Sequence, residues 1–347
     1  MYFVILWKHT QISSEELRYI QPTNFRTHSP QIVFFETEFP SRLANLAGIV
    51  KRGEVVNYNE LKTILADCSI IGVHDSKFGK QAKQHFGVRR FKLLEPMHTD
   101  REIQEKGKEI VAFQTKEGQS YGIVTGYQNI ARYEVIDFDK PARSMQVGMM
   151  PAKLTHMMIN IWLTYTAMDT MDNIYDPFCG LGTTLLMANT LWYHAIGSDI
   201  QPEHSIKNID RWKKNPLATH HNTFIFKHDV THAFVEEKLK NVRLIVSEWW
   251  LWPIVKDKTT TEEIEQYASE VTDLSTKFLK NIKQYYKTHL PTIVITVPYY
   301  IGQENNIANQ LDNQSKKLWR SCKIIKEIYA RPKQNVGRQI CIFTENK

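Results

Sequence analysis

The stretch Asp176-Pro177-Phe178-Cys179-Gly180-Leu181-Gly182-Thr183 decides the reading of this chain. It follows a short apolar strand, Asn173–Tyr175, and runs into an apolar helix, Gly182–Leu191. Glycines at such a turn let backbone approach a ligand closely, and the helix N-terminus offers unpaired N–H groups. Working outward, strands are expected at His194–Ser198, Thr223–Lys227, Arg243–Ser247 and Thr292–Val297. Helices fall between them at Glu203–Lys214 and Thr261–Thr288. Two last strands, Cys322–Tyr329 and Gln339–Thr344, flank a hairpin-like loop at Arg331–Arg338. Regular alternation of strand and helix calls for an α/β, Rossmann-like, doubly wound and mostly parallel sheet, here closed by an antiparallel hairpin strand.

A dinucleotide-binding turn would read G-x-G-x-x-G and cradle a pyrophosphate. This turn is headed by an acid instead, which suits a cationic or amine-bearing ligand. S-adenosylmethionine carries both a sulfonium and an amino group. Asp199 ends the second strand, where an acid can accept both ribose hydroxyls. Asp229 ends the third, where a carboxylate can accept from an adenine amine. The bland alternative is that Asp199 and Asp229 cap local turns.

The fourth strand ends in Glu248-Trp249-Trp250-Leu251-Trp252-Pro253. Methyl transfer to an aromatic amine needs the nitrogen in line with the methyl, acceptors for its hydrogens, and a flat surface for the extruded base. Glu248 suits the acceptor and Trp250 the platform. The same tryptophans also read as core or as a partner surface.

The first 140 residues mix short strands and helices with no glycine-rich phosphate loop, which is the pattern of an α+β module. Strands are expected at Phe3–Trp7, Ile32–Glu36, Ile70–His74, Ile110–Thr115 and Gln119–Val124. Helices are expected near Glu15–Ile20 and Ser41–Ile49, at Tyr58–Ala66 and at Asp100–Lys108. Between them Ser76–Lys92 carries Lys77, Lys80, Lys83, Arg89, Arg90 and Lys92 with no acid, interleaved with Phe78, Phe86 and Phe91. Its cations suit phosphates and its rings suit bases, or else this is a solvated helix whose phenylalanines are core. Ile136–Pro151, with two prolines and a glycine, reads as the domain connection. Domains are therefore expected at 1–140 and 141–347, the second opening on a helix at Lys153–Ala167.

The 347 residues carry a net charge of +7, which permits a nucleic-acid partner. Hydrophobic residues make up 42% and charged ones 23%, ordinary for a soluble globular protein. The N-terminal run Met1–Trp7 is too short to span a bilayer, so a cytoplasmic protein without membrane contact is expected. Cys68, Cys179, Cys322 and Cys341 show no metal-ligand spacing, and the thirteen histidines form no HExxH; free thiols and no metal are expected.

These residues resemble the amino-methyltransferase superfamily, and more closely the tRNA guanosine-N2 methyltransferases with a THUMP-type N-terminal domain. The likeness runs from about Gly107 to Phe343. Lys140–Met149 is similar to the interdomain signature, and Pro151-Ala152-Lys153-Leu154 to the motif preceding the cofactor turn. Asp176–Thr183 is similar to DPFCGSGT with Leu181 for Ser, and Tyr329–Pro332 through Arg338 to the closing stretch. The family's target motif is usually Asp-Pro-Pro-Tyr; here Trp249 stands for Pro and Trp252 for Gly of related variants.

The resemblance implies S-adenosylmethionine as cofactor and a base amine as acceptor. Implied cofactor residues are Asp176, Pro177, Phe178, Gly180, Gly182, Thr183, Asp199, Ile200, Asp229, Val230 and Lys153. Glu248, Trp249, Trp250 and Pro253 are the implied catalytic set. RNA contacts are expected from the six cations above and Arg143. The expected partner is tRNA or another structured RNA, with a small activating protein subunit as a candidate. Two other readings stay open: a DNA adenine-N6 or cytosine-N4 methyltransferase, and a catalytically inactive methyltransferase-fold module that binds RNA or protein.

Overall fold

The computed structural model describes residues 1–18, 26–36, 45–115, 118–142, 149–163, 172–218, 222–249, 255, 259–287, 289–302, 307–318 and 320–345. The chain divides into two compact units, Met1–Asn129 and Ile130–Lys347.

The first unit holds strands β1 (Tyr2–Leu6), β2 (Arg26–Ser29), β3 (Ile32–Phe35), β4 (Ile49–Val56), β5 (Ile70–Val73), β6 (Arg90–Leu93), β7 (Lys108–Thr115) and β8 (Gly118–Tyr127). Helices α1 (Thr10–Leu17), α2 (Tyr58–Leu65), α3 (Ser76–Phe86) and α4 (Arg101–Lys106) punctuate them. The strands form one sheet in the order β2-β3-β1-β4-β8-β7-β5-β6, parallel where β5 meets β6 and β7 and antiparallel elsewhere. This is the expected α+β mixture.

Local chemistry explains several boundaries. Asn57 and Glu60 form a capping box at α2, and the Asp75 carboxylate accepts from the Lys77 and Phe78 amides to start α3. Gly87, at φ 72°, ends α3 in a left-handed turn, so the basic segment is not one helix to Lys92: Arg90–Leu93 crosses into the sheet as β6.

One further expectation shifts. Of the helix expected around Ser41–Ile49, residues 41–44 lie outside the described residues, and Ile49 begins β4. That strand carries a fully buried Lys51, whose Nζ lies 2.6 Å from Glu109 Oε1 on β7; His74 Nε2 lies 2.6 Å from the same oxygen. A buried charge is tolerated because it is paired.

The second unit opens with α5 (Ala131–Phe138), so the first residues of the expected connection are helical and belong to this unit. Then follow α6 (Ala152–Leu163), β9 (Asn173–Asp176), α7 (Thr183–Thr190), β10 (His194–Asp199), α8 (Glu203–Trp212), β11 (Thr223–Lys227) and β12 (Val242–Glu248). The chain continues through α9 (Thr261–Tyr286), β13 (Thr292–Tyr300), α10 (Ile307–Lys317), β14 (Arg320–Tyr329) and β15 (Val336–Glu345). β15 starts at Val336, inside the span expected as loop, and α10 was not expected at all.

The sheet order is β11-β10-β9-β12-β13-β15-β14, with β15 antiparallel to both of its neighbours and the strands from β11 to β13 parallel. This is a Rossmann-like doubly wound sheet closed by an antiparallel strand. Ile293, Ile295 and Val297 of β13 alternate into a core shared with Val271 and Phe278 of α9 and Leu311 of α10. The strand order reverses at β9 and β12, and all four acids singled out from the sequence sit at or just past the carboxyl ends of β9, β10, β11 and β12. In open α/β sheets that edge is where ligands bind.

Candidate cofactor and target site

The turn after β9 is built as its sequence requires. Gly180 and Gly182 adopt φ 46° and 80°, which a side chain would strain. The Cys179 amide donates to the Ser198 carbonyl at 2.9 Å, lashing the turn to β10. Gly197 on β10 leaves room for it: a Cβ there would lie 2.7 Å from Leu185 Cδ1 and 3.1 Å from Cys179 Sγ.

Asp176 differs from a crevice-facing acid. It is buried, and its Oδ1 accepts from the Phe178 amide at 3.1 Å and from Ser247 Oγ at 2.6 Å. Its carboxylate thus clamps the glycine turn to β12. Burial pushes its pKa up to about 6; hydrogen bonds from Ser247, Thr184 and Phe178 oppose that, and the charge of Asp199 adds to it. Pro177 and Thr183 are buried and Phe178 is half-buried against Trp249, ring centroids 4.7 Å apart.

Asp199, half-buried, accepts from the Gly180 amide through Oδ2 and from the Gln201 amide through Oδ1, both at 2.9 Å. Each oxygen keeps a second lone pair. Ile200 beside it is 59% exposed, a large apolar side chain left open at the strand edge. The His228 amide donates to the Asp199 carbonyl, bringing the end of β11 alongside. Asp229 caps a turn: Oδ1 accepts from Thr231 N at 2.9 Å and Thr231 Oγ1 at 2.7 Å, and these bonds hold its pKa below the usual value. Val230 is buried in the core, so it backs the site. Lys153 lies in the first turn of α6, half-buried.

At the end of β12, the Glu248 side chain is 11% exposed and is bonded through Oε1 to Nε of Arg338, itself 7% exposed. Arg338 comes from β15 and lies over the Tyr329 ring at 5.8 Å. Trp249, expected among the catalytic residues, is instead core: it has no exposed surface and packs on Phe178 and on Phe278 of α9, centroids 5.2 Å apart. Large apolar area drives it inward. Trp250 and Pro253 lie outside the described residues, as does Arg143.

The basic segment divides. Lys77, Lys80 and Lys83 on α3 and Arg89 beyond it are exposed and make no ion pair among the described residues. Arg90 is bonded to Glu102, and Lys92 reaches Asp100 at 2.8 Å and Glu102 at 2.9 Å, so acids at the N-terminal end of α4 neutralise both. Phe78 and Phe86 are core and Phe91 packs against it; the rings do not face solvent as stacking platforms.

Four residues position the site without having been read as site residues: Ser247, which holds Asp176, and Asn208 carried no signal, while Arg338, which holds Glu248, and Lys140 stood out only within family-like stretches. Asn208 on α8 accepts from Ala142 N at 2.9 Å and donates to Ala142 O and Leu181 O at 3.1 and 2.9 Å. Lys140 Nζ donates to Thr183 Oγ1 at the start of α7. Together they fasten the segment after α5 to the glycine turn.

A family model described as DNA methylase, of the N6/N4 type, matches residues 78–208, under two-fifths of the chain. Comparison with curated protein sequences returns no match. Solved structures similar to this chain include SMU.472, assigned as a methyltransferase and complexed with SAH, at 11% identity and TM-score 0.47, covering 100% of this chain and 98% of that one. A methyltransferase from Pyrococcus furiosus is similar at 13% identity and TM-score 0.40, over 62% and 96%. Magnesium protoporphyrin IX methyltransferase from Synechocystis PCC 6803, with bound SAH, is similar at 10% and 0.38, over 62% and 94%. All three scores lie below 0.5, so the assignment of the fold rests on the strand order itself.

Proposed function

We propose that the chain is an S-adenosylmethionine-dependent methyltransferase acting on an exocyclic amine of a base in RNA, with guanosine N2 of tRNA as the leading acceptor. The observation that carries this reading is the pair Asp176 and Asp199, acids at adjacent strand ends around a glycine turn, close enough that one charge raises the pKa of the other. Such a pair, with Asp229 one strand further on, favours a cationic ligand with donor groups over a phosphate. When bound, the cofactor supplies an electrophilic methyl group on a sulfonium. The family match over residues 78–208 supports the methyl-transfer part of this reading.

The residues divide the work. The free lone pairs of Asp199 accept from ribose hydroxyls, while Gly180 and Gly182 keep the backbone close to the ligand. Asp229, its Oδ1 already committed to Thr231, offers Oδ2 to an amine. Glu248, fixed through one oxygen by Arg338, presents the other to the hydrogens of the acceptor amine, and this matters most as positive charge develops on the nitrogen. Asp176 holds the turn and β12 together. Trp250 is the proposed platform for the base.

RNA is favoured by the exposed cations Lys77, Lys80, Lys83 and Arg89 of the first unit, read as an RNA-binding module of THUMP type. A second reading, a DNA adenine-N6 or cytosine-N4 methyltransferase, is favoured by the description of the matching family model. The test is incubation with methyl-labelled S-adenosylmethionine and pooled tRNA, and separately with DNA, followed by nucleoside analysis. Label in N2-methylguanosine supports the first reading; label in DNA adenine or cytosine replaces it with the second; none in either refutes both.

A further inference from the structure

Helix α9 carries its charge in two blocks. From Thr261 to Leu274 it holds four glutamates and an aspartate and no cation; from Ser275 through Lys287, just past its end, come four lysines and no acid. Its inner face is fixed, because Ile264, Val271, Phe278 and Ile282 are buried in the core of the second unit. At 3.6 residues per turn, Glu262, Glu270, Asp273, Lys277, Lys280 and Lys287 project within ~60° of one line along the opposite side. All six are exposed and make no ion pair among the described residues.

A lone solvated helix gains nothing from this order. Acids and cations three or four residues apart support such a helix, whereas like charges at that spacing weaken it. Here Glu270 stands three residues before Asp273, and Lys277 three before Lys280. The helix dipole favours acids in the first turn and cations in the last, but its influence fades within a turn. These four residues lie in the middle of a helix of 26.

Two blocks of opposite sign along one straight face are self-complementary. Two such helices, laid antiparallel about a two-fold axis at the level of Ser275, set Asp273 against Lys277 of the second copy and Glu270 against Lys280. Further out, Glu263 meets Lys287 and Gln266 meets Gln284. A two-fold interface repeats every one of these pairs. A parallel pairing would oppose acid to acid. A nucleic acid suits only the basic block, since its phosphates would meet the acids of the other half. A second copy satisfies the whole stripe. We infer that the outer face of α9 is the surface through which two copies of this chain associate, antiparallel, in solution. The six stripe residues are all charged, and exposed ion pairs contribute little each, so this dimer is weak, transient and sensitive to salt.

The inference is independent of the methyltransferase reading and is tested without activity. Sedimentation velocity of the full-length protein is measured at about 50 mM and about 500 mM salt, at protein concentrations up to on the order of 100 μM. A monomer–dimer equilibrium is expected at low salt, with Kd rising roughly tenfold or more at high salt. Lys277→Glu/Lys280→Glu and Glu270→Lys/Asp273→Lys each set like charges across the axis, so each alone should be monomeric. Mixed in equal amounts they should form a heterodimer, followed by a fluorescent label on one of them, because every reversed charge again meets its opposite. Recovery of the mixed dimer also shows that both variants are folded. A wild type that stays monomeric at low salt, a dimer unchanged in either variant, or a mixture that stays monomeric overturns the inference. In the first case, RNA binding lost in Lys277→Glu/Lys280→Glu would assign the basic block to nucleic acid instead.

Discussion

Replacing Arg338 by methionine would remove the cation that neutralises Glu248 and leave a carboxylate with only 11% of its side chain exposed facing no counter-charge. Breaking one side of a buried pair in this way costs about 3–5 kcal/mol, because the abandoned charge keeps its desolvation penalty. The second unit spans 218 residues, Ile130 to Lys347. For that size ~1 kcal/mol moves the melting temperature by ~2–4 °C, so Arg338→Met should lower it by about 6–20 °C. Glu248→Gln should cost less, since the amide oxygen still accepts from the guanidinium. The double variant should recover part of the Arg338→Met loss, because the stranded charge is gone. The assay is thermal and urea unfolding of the four proteins of the cycle, with the methylation activity of each measured in parallel to compare kcat. A coupling of at least ~1 kcal/mol is expected. Arg338→Met melting within ~2 °C of the wild type, or strictly additive losses, would refute the claim that Arg338 holds the target acid in place.

Further outcomes follow from the same geometry. Trp249→Ala should destabilise the second unit by about 3–5 kcal/mol in denaturant unfolding, as truncation of a fully buried aromatic does; a change under ~1 kcal/mol would return Trp249 to the surface. Asp176 has a folded-state pKa near 6, above its unfolded value, so the folded state binds the extra proton between the two. Stability should therefore fall as pH rises from about 4 to about 6 and level off above, and Asp176→Asn should remove that slope; a slope of the opposite sign contradicts the burial of the acid. Neutralising Lys77, Lys80 and Lys83 with glutamine should reduce the salt dependence of RNA binding by roughly two to three in slope. Arg90→Gln, already paired with Glu102, should barely move it, and equal effects from both would contradict the division of the basic segment.

Much of the second unit was legible because its strands are short apolar runs ended by acids, a local pattern. What escaped reading depends on partners distant in the chain. β4, Ile-Val-Lys-Arg-Gly-Glu-Val-Val, looks polar in its middle, and only the pairing of Lys51 with Glu109, 58 residues away, lets that lysine be core. α10 is mostly polar and is held by a few residues such as Ile307 and Leu311, too sparse a stripe to stand out. In the site, the acids at the strand ends were found by position, but what holds Asp176 and Glu248 in place was not. Asp176 looked like a ligand group because nothing near it announces Ser247, 71 residues on. Trp249 fell in the implied catalytic set because Phe278, which packs on it, belongs to the next helix. Arg338 lies 90 residues from the acid it holds.

The most direct measurement of the central claim is a calorimetric titration of S-adenosylmethionine into the wild-type protein and into folded Asp199→Ala. Saturable one-site binding is expected in the wild type and its loss in the variant, which lacks the carboxylate that holds the Gly180 turn and would meet the ribose. A folded wild type that does not bind, or an Asp199→Ala protein that binds with unchanged affinity, would contradict it.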